Sequence, residues 1–284
     1  MKSNLLNLLK QEATHMTPAQ RRVADYILKN PVDASFLTLD QLSGMVGTST
    51  TTVMRFSFKL GYTGYTEFQK DLQELLRDRV APTTRLEINK KSLEHSSILA
   101  NCTETQLNNL KSMISFLSEE TIEKSLNLVL QATNIYIVGM RSSFAVAYYL
   151  HHSLNQILGN CKLIKADSGD NVDTLLNIRP SDLVIAITLP RYSKATVQLM
   201  KIIKGFNPKI MAITDGYNSP LAPLADVVLP CSFRSLAFHN SIVGPIFLVD
   251  FLITAIAIKE PIKTKNRLEE AESILKQLDI HVDE

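Results

Sequence analysis

Thr38 to Gly61 reads TLDQLSGMVGTSTTTVMRFSFKLG, and its spacing decides what the first third of the chain is. Leu39, Leu42 and Val46 recur at i, i+3 and i+7, the apolar stripe of a short helix. Gly47 stands where that helix should stop, because glycine readily takes the left-handed conformation that ends one. Ser49 follows as an N-cap, its hydroxyl able to accept from the free amides of a second helix. That second helix buries Val53, Phe56 and Leu60 at the same spacing and stops at Gly61. The stretch is a pair of helices joined by a tight turn.

The outward face of the second helix carries the chemistry. At about 100° per residue, Thr51, Arg55 and Phe58 point away from the core stripe, with Thr50, Thr52 and Lys59 on its flanks. No Asp or Glu occurs between Gln41 and Thr66, so nothing on this face repels phosphate. Hydroxyls and an arginine suit the edges of bases in a major groove, and a lysine suits the backbone. The residues expected at DNA are Ser49, Thr50, Thr51, Thr52, Arg55 and Lys59. On geometry alone the same helix would also serve as an ordinary solvated face of a small bundle.

Working outward, Thr17-Pro18-Ala19-Gln20 opens an earlier helix, with Thr as N-cap, Pro at N1 and Gln at N3. Val23 and Ile27 form its buried side and Asn30-Pro31 ends it. Tyr65 to Arg79 is a further helix with Phe68, Leu72, Leu75 and Leu76 on one face. Four or five helices without a strand make a compact all-α module. From Val80 to Asn101 apolar periodicity lapses and the chain reads as a linker. Two helical segments follow through Leu130, split near Ser118, expected to connect domains or to pack along a partner subunit.

The remainder alternates strands and helices. Strands are expected at Asn134–Met140, Cys161–Ala166, Asp182–Leu189, Lys209–Thr214 and Val227–Leu229, with helices between them and a last apolar helix near 240–258. A nearly unbroken apolar strand such as DLVIAITL belongs at the centre of a parallel sheet covered on both faces. The order implies right-handed crossovers and a doubly wound, three-layer α/β domain. Ligands of such sheets bind beyond the carboxyl ends of the strands. Three corners should meet there: Gly139-Met140-Arg141-Ser142-Ser143, Thr188-Leu189-Pro190-Arg191-Tyr192-Ser193 and Thr214-Asp215-Gly216-Tyr217-Asn218-Ser219-Pro220. Serine hydroxyls and free amides at helix N-termini form an anion site, and Arg141 and Arg191 add charge-assisted bonds to a phosphate. A single serine at a helix start is ordinary capping; two such corners on neighbouring strands favour the anion site.

Composition narrows the partners. With 284 residues, 45% hydrophobic and 20% charged, the chain is long enough for two soluble domains. A net charge of +2 does not coat the surface for nucleic acid, so any DNA contact is local and is doubled by dimerisation. Cys102, Cys161 and Cys231 are widely separated and show no ligand spacing, as expected of inert thiols in a reducing compartment. No metal or cofactor is implied. The N-terminal MKSNLLNLLKQEATHM soon turns polar, unlike a secretory signal, and no run approaches 18 apolar residues. A cytoplasmic location with no membrane partner is expected.

These motifs carry a resemblance. LDQLSGMVGTSTTTVMRFSFKLGYTGYTEF resembles the DNA-binding domain of the RpiR/MurR family of bacterial transcriptional regulators. GMRSS, ITLPRYSKAT and ITDGYNSPLAPLADVVLP resemble the sugar isomerase (SIS) phosphosugar-binding domain that family carries. The resemblance implies an α/β protein overall: an all-α helix-turn-helix domain at 1–78, a linker and connecting helices at 79–123, a SIS domain at 124–262 and a helical tail at 263–284. It places Ser142 and Ser143 on the first phosphate-loop serines and Thr188 and Ser193 on hydroxyl positions of the second. Arg191 and Ser219 complete the expected phosphosugar set. Arg141 stands where many SIS domains have glycine, and Pro190-Arg191 replaces the Ser-Gly of the enzymes. Phe58 stands where many members are basic, and suits a thymine-methyl contact or packing against another segment.

The function implied is a regulator of carbohydrate metabolism that binds double-stranded operator DNA as a homodimer or tetramer and senses a sugar phosphate. No catalytic residue is expected. The alternative is an aldose–ketose sugar-phosphate isomerase with an accessory helical domain, which needs a general base. His151, His152, Asp167, Asp170 and His239 are the candidates. A purely structural DNA-associated protein leaves the serine corners without a purpose.

Overall fold

Cap chemistry sets the helix boundaries of the N-terminal half. The computed structural model describes residues 5, 9, 12, 15–79, 81–93, 97–165 and 171–280, and the chain divides into two compact units, Met1–Ile88 and Asn89–Glu284. In the first unit, α1 (Pro18–Lys29), α2 (Pro31–Phe36), α3 (Leu39–Met45), α4 (Thr50–Lys59) and α5 (Tyr65–Arg79) follow one another without a strand. Thr17 with Gln20 and Thr38 with Gln41 form complete capping boxes ahead of α1 and α3. Ser49 caps α4, accepting from the amide of Thr52 at 3.2 Å. Gly47 and Gly61, at φ +62° and +81°, make the left-handed exits of α3 and α4.

The buried faces of these helices meet in one core of Val23, Ile27, Leu42, Val53, Phe56, Leu60, Phe68, Leu72 and Leu76. Phe56 meets Phe68 edge to face at a centroid distance of 5.6 Å. Tyr65, Gln69 and Gln73 tie α5 to the α2–α3 connection, through the carbonyls of Leu37 and Ser35, each at 2.7 Å. The pair α3–α4 is thereby held by packing rather than by its own short helices, which are too brief to persist alone.

The stretch that reads as a linker contains a helix, α6 (Pro82–Leu93). Its buried positions include Arg85 and Asn89, four residues apart, and Asn89 donates to the carbonyl of Leu236 at 2.6 Å. Polar residues at the buried spacing are why apolar periodicity gave no sign of it. Helices α7 (Ile98–Phe116) and α8 (Glu119–Gln131) come next, and Met113, Leu126 and Val129 enter the core of the second unit.

That unit is built on five parallel strands, β1 (Ile135–Gly139), β2 (Cys161–Ile164), β3 (Leu183–Ile187), β4 (Lys209–Thr214) and β5 (Val227–Pro230), in the spatial order β2-β1-β3-β4-β5. Between them lie α9 (Ser142–Leu158), α10 (Asn171–Leu176) and α11 (Lys194–Lys204); α12 (Val243–Lys259) and α13 (Pro261–Gln277) close the chain. Alternate strand residues serve two cores. Ile135, Ile137, Ile185 and Ile213 pack with Val146, Leu150 and Leu252 of α9 and α12, and Tyr136, Val138, Val184 and Ala212 pack with Met200 and Ile203 of α11. Both faces are covered, as a parallel sheet requires. The direction of strand order reverses between β1 and β3, which makes that pair the switch point of the sheet.

Among the described residues no helix is long and apolar enough to cross a membrane. Cys161 and Cys231 are buried free thiols, and burial pushes the Cys161 thiol up to about 12 and Cys231 higher still, so neither is a thiolate near neutrality.

Candidate functional site

The first candidate surface is the outer face of α4. Thr51 and Arg55 are exposed, Thr50 and Thr52 are half-buried, and Phe58 is 50% exposed. The hydroxyls of Ser49 and Thr52 share a hydrogen bond of 2.9 Å, so this pair organises the first turn while Thr51 and Arg55 have no side-chain partner among the described residues. Lys59 is exposed, yet its ammonium donates to the carbonyl of His15, which ties it to the segment ahead of α1. A residue that sequence reasoning passed over is Arg22 on α1. Its guanidinium donates to the carbonyl of Gly47 at 3.2 Å, holding a cation against the turn between α3 and α4. Only the folded packing of α1 on that turn reveals it.

The second candidate surface lies at the carboxyl edge of the sheet. Gly139 of β1 pairs in register with Ile187 of β3, and Ile187 with Ile213 of β4, so the three corners leave the sheet side by side. The first two touch: the Ser193 hydroxyl lies 3.4 Å from the Met140 sulfur. Gly139 is required here, because a Cβ would stand 2.6 Å from the carbonyl oxygen of Ser143 as α9 begins.

Both arginines of these corners sit at positive φ, Arg141 at +56° and Arg191 at +62°. Such backbone is costly for a residue with a side chain and clusters at ligand sites, typically at about 1–3 kcal/mol each. Arg141 makes no side-chain capping bond to α9; the amides of Ser143 and Phe144 donate to the carbonyls of Met140 at 3.2 Å and Arg141 at 3.0 Å, and the exposed hydroxyl of Ser142 has no partner among the described residues. Ser193 caps α11, accepting from the amide of Thr196 at 3.3 Å. Arg141→Gly should relieve the strain and raise stability by on the order of 1 kcal/mol in chemical denaturation, while removing a cation from the edge.

The six residues expected at a phosphosugar divide by exposure. Ser142 and Arg191 are exposed and Ser193 is half-buried; Ser143, Thr188 and Ser219 are buried. The Ser219 hydroxyl shares a hydrogen bond of 2.8 Å with Thr214 Oγ1 and accepts from the amide of Leu221 at 3.3 Å, which closes the third corner internally. Asp215 is the one acid in the three corner sequences. Its carboxylate accepts from the Tyr192 hydroxyl at 2.9 Å on both oxygens and from Thr214 Oγ1 at 3.0 Å. These donors bind the second corner to the third and partly offset a charge that would otherwise oppose an anion.

Two of the isomerase candidates, the α9 histidines, are placed elsewhere. His151 and His152 lie in the middle of α9, roughly 14 Å along the helix from Ser142 at 1.5 Å per residue, and wall a cavity of about 340 Å³ between α9 and α13. His239 is exposed and faces the carbonyl of Asn240, whose side chain donates to the carbonyl of Pro190 at 2.9 Å. Asp167 and Asp170 lie outside the described residues. A second cavity, of about 880 Å³, opens between α12 and α13. Ser142 and Ser193 wall neither of these two.

Residues 3–78 match the family described as a helix-turn-helix domain of the rpiR family, and residues 128–255 match the SIS domain. An HTH-type transcriptional regulator of Thermotoga maritima is 25% identical over 93% of this chain and 95% of its own. The sugar isomerase domain of an RpiR transcription factor from Sphaerobacter thermophilus is 30% identical, with a TM-score of 0.60, covering 62% of this chain and 98% of that one. The NanR protein of Vibrio vulnificus, solved in complex with ManNAc-6P, shares the fold over 97% of this chain and 99% of its own, at 22% identity and a TM-score of 0.58.

Proposed function

The chain belongs to the RpiR family of helix-turn-helix transcriptional regulators that carry a SIS domain, and on that premise we propose that it regulates carbohydrate metabolism by coupling capture of a sugar phosphate to operator binding. The observation that carries the reading is the pair of corners in contact at the β1–β3 switch point, each bearing an arginine at positive φ and a serine at a helix start. A phosphate there accepts from the Ser142 hydroxyl and from the guanidinium groups, while the helix dipoles favour its charge. NanR, which has the same fold, is solved with a phosphorylated amino sugar, and that supports the ligand class.

At the other end of the function, a homodimer or tetramer sets two copies of α4 in successive major grooves of a near-palindromic operator. Ser49, Thr50, Thr51, Thr52, Arg55 and Lys59 are the proposed contacts, with Arg22 as a neighbouring backbone cation. The chain acts as a sensor in the cytoplasm rather than as an isomerase: its α9 histidines stand away from the phosphate corners.

A thermal-shift panel of sugar phosphates tests the sensor. Binding raises stability by mass action, about 2.7 kcal/mol at a hundredfold excess over Kd. One phosphorylated sugar should raise the melting temperature and its unphosphorylated parent should not; no response across hexose, pentose and amino-sugar phosphates rejects the reading. Turnover of the same compounds would favour the isomerase instead. On the DNA side, Arg55→Ala should weaken operator binding by roughly 1–3 kcal/mol, read by fluorescence anisotropy. An unchanged affinity removes Arg55 from the contacts.

A further inference from the structure

We infer that Asp215 is a charge filter at the sheet edge, holding the site to sugars that carry one phosphate and no second anion. This rests on the reading above, that a sugar phosphate is captured at the β1–β3 edge, and narrows its ligand class. The charges of the edge are segregated. The first two corners carry Arg141 and Arg191, both exposed, and the third carries Asp215, half-buried, directly after the last residue of β4. Neighbouring strands lie about 4.8 Å apart, so the third corner leaves the sheet about 5 Å from the second and about 10 Å from the first.

The acid keeps its charge. Its hydrogen-bond donors, the hydroxyls of Tyr192 and Thr214, are both neutral. No cation forms an ion pair with Asp215 among the described residues, although Arg191 directly precedes Tyr192 in the chain. The Tyr192 bond therefore fixes a carboxylate beside the cationic corners without cancelling either sign. A phosphate between the first two corners has its charge met by guanidinium groups. The body of a five- or six-carbon sugar is long enough to carry its far end to the third corner. Hydroxyls at that end donate to a carboxylate, whereas a carboxylate or second phosphate there meets like charge in a half-buried setting that water and salt screen weakly. The repulsion acts through space, so it needs no contact between Asp215 and the ligand, and it is the repulsive half of specificity. Two arginines alone would favour the more anionic ligand; Asp215 reverses that order.

Isothermal titration of the full chain, at fixed pH and ionic strength, tests this with matched pairs: the 6-phosphates and 1,6-bisphosphates of glucose, fructose and N-acetylglucosamine, and ribose 5-phosphate with ribose 1,5-bisphosphate. In every pair of which a member binds, the parent should prefer the monophosphate by at least about tenfold in Kd. Asp215→Asn, which keeps an acceptor for Tyr192 but no charge, should bring the two within about threefold of each other or favour the bisphosphate. Tyr192→Phe breaks the bond between corners but keeps the charge, and should retain the parent's preference. A parent that binds the bisphosphate equally or better overturns the filter, as does an Asp215→Asn variant with the parent's ratio. A Tyr192→Phe variant that loses the preference as fully as Asp215→Asn also overturns it, because the bond between corners and not the charge would then set the selectivity. These three results leave sugar-phosphate sensing standing, whereas a parent that binds no member of any pair overturns both.

Discussion

Ser142→Ala combined with Ser193→Ala is expected to abolish the response to sugar phosphate while leaving operator affinity as in the parent. The two hydroxyls stand on adjoining corners at the switch point, and the Ser193 hydroxyl is within 3.4 Å of Met140 on the other corner. A phosphate bound there loses one hydroxyl donor from each corner, at roughly 1.5–3 kcal/mol per bond to a charged group. The combined loss approaches a thousandfold or more in affinity, beyond the range of a millimolar titration for an ordinary metabolite sensor. Ser193 also caps α11, so alanine costs about 1 kcal/mol of stability independent of any ligand. Ser193→Asp separates the two roles: it keeps a capping oxygen but repels an anion, so it should melt like the parent and fail to respond. A double alanine variant that still responds places the effector elsewhere.

Phe56→Ala is expected to remove DNA binding by unfolding the first unit rather than by altering its surface. Phe56 is fully buried and packs edge to face on Phe68, which also takes the Tyr62 ring at 5.4 Å. Truncating a buried phenylalanine costs about 3–5 kcal/mol, against a total stability of about 5–15 kcal/mol for a domain. For a unit of this size that lowers the melting temperature by on the order of 20 °C. Calorimetry should therefore find the transition of the helical unit displaced while the sheet-bearing unit, together with its sugar-phosphate response, melts as before. A variant with an unchanged melt would mean that the α4 face is not held by this core.

Much of this was legible because the deciding elements obey local rules. Thr38, Gly47, Ser49 and Gly61 marked the helix-turn-helix boundaries from cap chemistry alone, and the observed helices, Leu39–Met45 and Thr50–Lys59, lie within them. The strands DLVIAITL and KIMAIT announced a buried parallel sheet by being apolar on both faces. What escaped depended on contacts between distant residues. The helix at Pro82–Leu93 buries Arg85 and Asn89 instead of leucines, so no periodicity betrayed it. Helices α7 and α8 were readable as helices, but the placement of Met113 and Val129 on the sheet was not. The positive φ of Arg141 and Arg191 carries no mark in their side chains, and glycine at the Arg141 position in many SIS domains was the one available hint. The bond between Tyr192 and Asp215 requires knowing that β3 and β4 are neighbours, which only the topology supplies.

The central claim is that a phosphate held at the β1–β3 edge changes how strongly α4 grips DNA. The direct measurement is fluorescence anisotropy of an operator selected from a random duplex pool, titrated with the full chain at fixed salt. It is run with and without the sugar phosphate that raises the melting temperature, on the parent and on the Ser142→Ala, Ser193→Ala variant. Operator affinity should move by about 5- to 150-fold in the parent, in whichever direction the coupling runs, and not at all in the variant. A parent whose operator affinity stays the same at saturating sugar phosphate, although the ligand binds, would contradict it.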